Sequence, residues 1–196
     1  MESLTNYYAG IGSRETPLDV CETMIEIGRL MAEADWVLQS GGAERADEAF
    51  EKGCDLAGGQ KRIFLHKEGA RGNRSPHFNI PAEYFSIASR YRRNWDKFSE
   101  NSQRLLARNV LQVLGYPGDD VGHPPDDPVK AIICYTEGGK LKGGTSLALQ
   151  LAKDTLGDAV DIVNLGHPDY RNATAQEVVD QVLGRGHIPP AQMTLF

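Results

Sequence analysis

Two kinds of hydrophobic spacing alternate along this chain. Short apolar runs approach Gly10 and Gly12 and recur at 36–39, 61–66, 130–135 and 160–165. Each is bounded by glycine or polar residues and reads as a buried strand. Between them, apolar positions fall at helical spacing. Val20, Met24, Ile27 and Met31 form a stripe along 17–34, and Leu147, Leu151 and Thr155, with Ala148 and Ala152, form another. Helices are likewise predicted over Ala43 to Cys54, over 99–114 and over 174–184, the last closed by Gly184. Strands alternating with helices through short loops predict a doubly wound, mostly parallel sheet with helices on both faces. The prediction is one domain over 1–184, with 185–196 as an extended surface tail containing Pro189 and Pro190. There is no internal repeat.

Three glycine-rich loops stand where predicted strands end and helices begin, which is where α/β proteins place ligands. After 131-AIICYT-136 comes Gly143-Gly144-Thr145-Ser146, opening a helix. Glycine lets backbone approach a ligand closely, and the free N–H groups and dipole of a helix N-terminus favour an anion, most naturally a phosphate. Taken alone, such a loop reads first as a tight turn with a threonine cap, and it is the presence of three such loops at strand ends that tips the balance towards a nucleotide or sugar-phosphate site. The second loop holds Gly12, Ser13 and Arg14, with Pro17 near the following helix start; a serine hydroxyl and an arginine fork both suit a phosphate. It lacks the third glycine of the dinucleotide fingerprint. The third is Ser40-Gly41-Gly42, followed by Glu44, Asp47, Glu48 and Glu51. Acidic residues in early helical turns suit the dipole whether or not they do chemistry.

The segment 67–100 breaks the rhythm. Arg71, Arg74, Arg90, Arg92 and Arg93 are interleaved there with Tyr84, Phe85, Tyr91 and Trp95. That mixture serves equally a ligand-covering insertion, binding by charge and stacking, and an insertion that packs its aromatics on the sheet edge. In the helix after it, Arg108 and Asn109 interrupt an otherwise apolar pattern, and a buried arginine is rare unless paired or bound to something. The Pro-, Gly- and Asp-rich stretch 116–129 reads as a surface loop.

Composition narrows the classes. The 196 residues are 40% hydrophobic and 24% charged, ordinary for a soluble domain, with a net charge of −6. An acidic balance disfavours a general nucleic-acid coat, although a local basic patch keeps DNA among the partners to consider. No membrane-spanning run or signal-peptide pattern is seen. Cys21, Cys54 and Cys134 are odd in number and scattered, which predicts reduced thiols and a cytoplasmic setting. Neither cysteines nor histidines show ligand spacing, so no metal or redox cofactor is expected.

The motifs GIGSRETP, SGGAERADEAFEKG, RNVLQVLG and GGTSLALQLAK, in that order, resemble the SLOG superfamily of Rossmann-like proteins. It includes DNA processing protein A, the LOG phosphoribohydrolases, and small proteins similar to the former that phages often encode; the resemblance is closest to these last and runs to about Gly166. It implies a Rossmann-like fold, a phosphate at Gly143–Thr145, a ligand loop at Gly12–Arg14, a match at Asp47, and Arg108-Asn109 as a family pair. Self-association into a homodimer is implied as well. Arg45 stands one place away from the family arginine. LOG enzymes follow their phosphate loop with a catalytic glutamate, where this chain has Leu147 and Ala148. Glycosidic cleavage would then need its carboxylate from Glu15, Glu44 or Asp47. Three functions follow: a nucleotide-binding protein that senses or sequesters its ligand, a nucleotide N-glycosidase, and a single-strand DNA binder.

Overall fold

The computed structural model describes residues 5–118, 126, 128–141 and 143–188. Its framework is a five-stranded, fully parallel sheet in the order β3-β2-β1-β4-β5, formed by β1 (Asn6–Gly12), β2 (Trp36–Ser40), β3 (Lys61–Ile63), β4 (Ala131–Tyr135) and β5 (Asp161–Asn164). The apolar runs lack alternation because both faces are covered; all five residues of β2 are buried. Successive side chains serve opposite cores. Tyr8, Leu38, Ile133 and Val163 pack under α1 (Leu18–Glu33), α2 (Ala46–Leu56) and α6 (Ala175–Val182). Ala9, Ile11, Ile132 and Cys134 pack under α3 (Ala82–Ser89), α4 (Glu100–Leu114) and α5 (Thr145–Leu156). This is the doubly wound parallel sheet predicted from the alternation of spacings, and it is Rossmann-like as the resemblance implied.

The stripe of α1 buries Met24, Ile27 and Met31. Ser99 caps α4 by accepting from the Ser102 amide, and Thr174 with Glu177 forms a reciprocal capping box on α6. Gly184, at φ 67°, ends the last helix.

Some boundaries differ from those predicted. β3 stops at Ile63 because the Leu65 amide turns away to the His77 carbonyl, leaving the ladder. α2 begins at Ala46 rather than Ala43, since Gly42 and Arg45 both take positive φ and turn the backbone outward first. Residues 67–100 contain α3 and two short turns; Tyr84 and Ala88 are buried, and Phe85, Tyr91 and Trp95 pack against the same core. The aromatics of this insertion therefore belong largely to the α3–α5 face. Of the predicted surface loop, residues 119–125 and 127 lie outside the described residues, as do 189–196 of the tail.

Candidate functional site

Strand order reverses between β1 and β4: the chain winds outward from β1 through β2 to β3, then crosses to β4 and β5. Loops leaving the carboxyl ends of β1 and β4 therefore part in opposite directions and open a crevice, the general ligand position of doubly wound sheets. A cleft of about 410 Å³ lies there. Its floor carries Gly12–Arg14 from the β1 loop, Gly143–Thr145 from the β4 loop, and Arg108 and Asn109 from α4. Arg14, Arg108 and Thr145, distant in sequence, thus face one space.

The β4–α5 loop is held from outside. Arg92 donates to the Gly143 carbonyl at 2.7 Å and to Ser146 Oγ at 3.1 Å, while Ser146 Oγ donates to the same carbonyl at 2.7 Å. Asn109 Nδ2 donates to the Gly144 carbonyl at 3.1 Å. These bonds fix the carbonyls of the loop. Among the described residues no side chain caps α5, and its first turn has no acid. Its amide donors and dipole therefore act on the cleft.

The β2–α2 loop is satisfied from within. Asp47 is 3% exposed, and its Oδ2 accepts from the amides of Gly41 at 3.1 Å and Ala43 at 3.3 Å. Arg108 Nη1 lies 3.5 Å from the same oxygen. With the Gln112 amide oriented to satisfy its neighbours, its oxygen accepts from Arg108 Nη1 at 3.1 Å and from Gly41 N at 2.9 Å. Glycine is required at 41 because a Cβ there would stand 1.0 Å from Arg108 Nη1. Burial pushes the Asp47 carboxyl up, opposed by Arg108 and by the backbone amides of Ala43 and Gly12. Burial likewise pushes the Arg108 guanidinium down, opposed by Asp47. Among the described residues, Arg108 Nε is buried without a partner. An unpaired buried donor is costly, and ligand sites are one place where such donors are kept.

In the β1–α1 loop, Ser13 Oγ accepts from the Glu15 amide at 3.0 Å, so one lone pair shapes the turn while its proton remains free. Arg14 is exposed at the cleft and has no acidic partner among the described residues.

The remaining predicted residues separate by position. Ser40 is fully buried and donates to the Gly10 carbonyl at 2.6 Å, which ties β2 to β1 beneath the site. Ser146 serves the loop rather than the cavity wall. Glu15 is exposed and outside the cleft lining. Glu44 and Glu48 both pair with Arg71. Of the three acids considered for catalysis, Asp47 alone lines the larger cleft. Gly41 and Gly42 line a smaller, adjoining cavity of about 210 Å³.

One part of the cleft lining was missed by sequence reasoning. Phe98, Leu105 and Leu106 make it apolar, beside Ser102. Phe98 is 38% exposed, unusual for so large an apolar side chain, with the Trp95 ring 6.3 Å away. The available signal was a lone aromatic directly before a serine helix cap.

Five parallel strands, helices on both faces and a crevice at the strand-order reversal define a Rossmann-like α/β protein. The fold is similar to that of the Moco carrier protein of Chlamydomonas rheinhardtii, with a TM-score of 0.52 and 16% identity over 93% of this chain and 99% of that one. It is also similar to the protein TM1055, with a TM-score of 0.51 and 13% identity over 92% of this chain and 99% of that one. No family model matches the sequence, and no curated protein matches it. Among the described residues no helix is long and apolar enough to cross a membrane.

Proposed function

We propose that this chain is a nucleotide-binding protein of the SLOG type. The uncapped N-terminus of α5 holds the phosphate, Arg14 and Arg108 add charge-assisted donors, and the Phe98–Leu105–Leu106 wall receives the base. The observation that carries this reading is the uncapped α5 terminus opening into a cleft shared with an unpaired Arg14. A lining that combines polar and cationic groups with apolar side chains suits a ligand that is anionic in one part and aromatic in another. The Moco carrier protein, whose name describes it as carrying a cofactor, lends support as a protein of similar fold. Sensing or sequestering a nucleotide is the activity such a site would perform, in the homodimer that the family resemblance implies.

A second reading, N-glycosidic cleavage, is favoured by one observation: Asp47 lies in the cleft. Its engagement by Arg108 and two loop amides supports a structural role more strongly. Calorimetric titration with AMP, followed by chromatography for free adenine, separates the two. Binding without base release supports the carrier or sensor role; release that survives in the wild type and vanishes in Asp47→Asn, with the fold intact, supports the enzyme. Absence of binding by any nucleoside monophosphate would overturn both. Salt-dependent affinity for single-stranded DNA in place of nucleotide affinity would support the DNA-binding alternative.

A further inference from the structure

We propose that the smaller cavity beside the cleft is a second anion subsite, so that the favoured ligand is a nucleotide carrying two phosphate groups. This rests on the reading of the larger cleft as a nucleotide site. The two cavities share Arg14, Leu105 and Arg108, and the smaller adds Gly41, Gly42, His66, Arg71 and Asn101. Arg108 stands in the shared wall with its Nε buried and, among the described residues, unpartnered. Arg14, in the same wall, is exposed and has no acidic partner among the described residues, so its donors are open to a ligand in either cavity. A carboxylate also lines the cavity, that of Glu44, but Arg71 holds it and is itself shared with Glu48.

His66 reports the resulting field. Burial, and then the charges of Arg108, Lys67, Arg104 and Arg14, hold its imidazole below the usual histidine range, with no carboxylate among the causes. Arg104 is fixed in place by donating from Nε to the His66 carbonyl at 2.6 Å. Burial comes first among the causes and the cations follow it, so beside the geometry of the shared wall the ring adds a direction only: a phosphate bound there would oppose the depression. A phosphate at α5 and a second one past Arg108 require either adjacent phosphates or phosphates on opposite sides of a ribose.

The test is titration calorimetry of the whole protein with AMP, ADP and adenosine 3′,5′-bisphosphate, paired with NMR titration of the His66 ring. Either two-phosphate ligand should bind at least about tenfold tighter than AMP, a difference of about 1.4 kcal/mol. The preferred one identifies the phosphate spacing. It should also raise the His66 titration midpoint further than AMP does, because its second phosphate lies in the cavity that His66 lines. Asn101→Glu puts a negative charge at the rim of the small cavity, in a helical first turn that accepts acids. It should erase the gain and preserve AMP affinity. If AMP binds but neither two-phosphate ligand binds tighter or moves His66 further, the subsite is wrong and the nucleotide reading stands. If no nucleotide binds, the nucleotide reading fails and takes the subsite with it.

Discussion

In the loop after β2, the amides of Gly41 and Ala43 donate to the carboxylate of Asp47; in the loop after β4, no described side chain caps α5 and the amides are left to the cleft. Both loops are a glycine pair between a strand and a helix. What separates them is one acid in the first helical turn. α2 has Asp47 there, with Glu48 beside it, and α5 has none. An internal carboxylate occupies the position where an external phosphate would sit, and an arginine from α4 then balances that carboxylate. The absence of an acid from the first turn of α5, where Leu147 and Ala148 stand, is what keeps that terminus positive. Under the proposed function, the first loop serves stability and the second serves binding.

The comparison predicts opposite mutational signatures. Arg108→Ala or Asp47→Ala leaves a buried charge without its partner and should cost about 3–5 kcal/mol. At roughly 2–4 °C per kcal/mol for a chain of this size, calorimetry should show Tm falling by about 6–20 °C. Gly144→Val should do the reverse. Gly144 has α-helical φ and ψ, and a Cβ there meets only Asn109 Nδ2, at 3.4 Å. Tm should move by less than about 1 kcal/mol equivalent, while AMP affinity, read by calorimetric titration, should drop by about a hundredfold, or about 2.7 kcal/mol. Arg14→Gln should weaken AMP by about tenfold, as for one lost charge-assisted contact of about 1.5 kcal/mol, with Tm unchanged.

The smallest effect is a pH dependence beside the first loop. The folded pKa of His66 is depressed, so below about pH 6.5 the unfolded chain takes up a proton that the folded chain resists. Stability contributed by His66 should therefore decline as pH falls from about 6.5 to its folded pKa and level off below it. His66→Asn should flatten that limb of a Tm-versus-pH curve.

The sheet was legible because its central strands are covered on both faces and so appear as unbroken apolar runs. Arg108 was legible because a charged residue on an apolar helix needs a partner. The start of α2 was not: Asp47 sits where a dipole-favoured acid would be expected, and only the folded loop shows its carboxylate turned back onto Gly41 and Ala43. Ser40 and Ser146 carried the right chemistry for a ligand, but their hydroxyls meet backbone carbonyls at 2.6 and 2.7 Å instead. Phe98 and Leu105 were missed because their wall forms only when α4 packs across the crevice. Arg92 was one of several interchangeable arginines in the sequence, and its hold on Gly143 depends on a contact across 51 positions.

The central claim is that the two glycine loops divide the labour, one holding the fold and one holding the ligand. Amide NMR of the wild-type protein titrated with AMP tests it most directly. The account predicts large, saturable shifts at the Thr145 and Ser146 amides, with those of Gly41 and Ala43 nearly still, since Asp47 already holds them. Large shifts at Gly41 and Ala43 with Thr145 and Ser146 silent would contradict it.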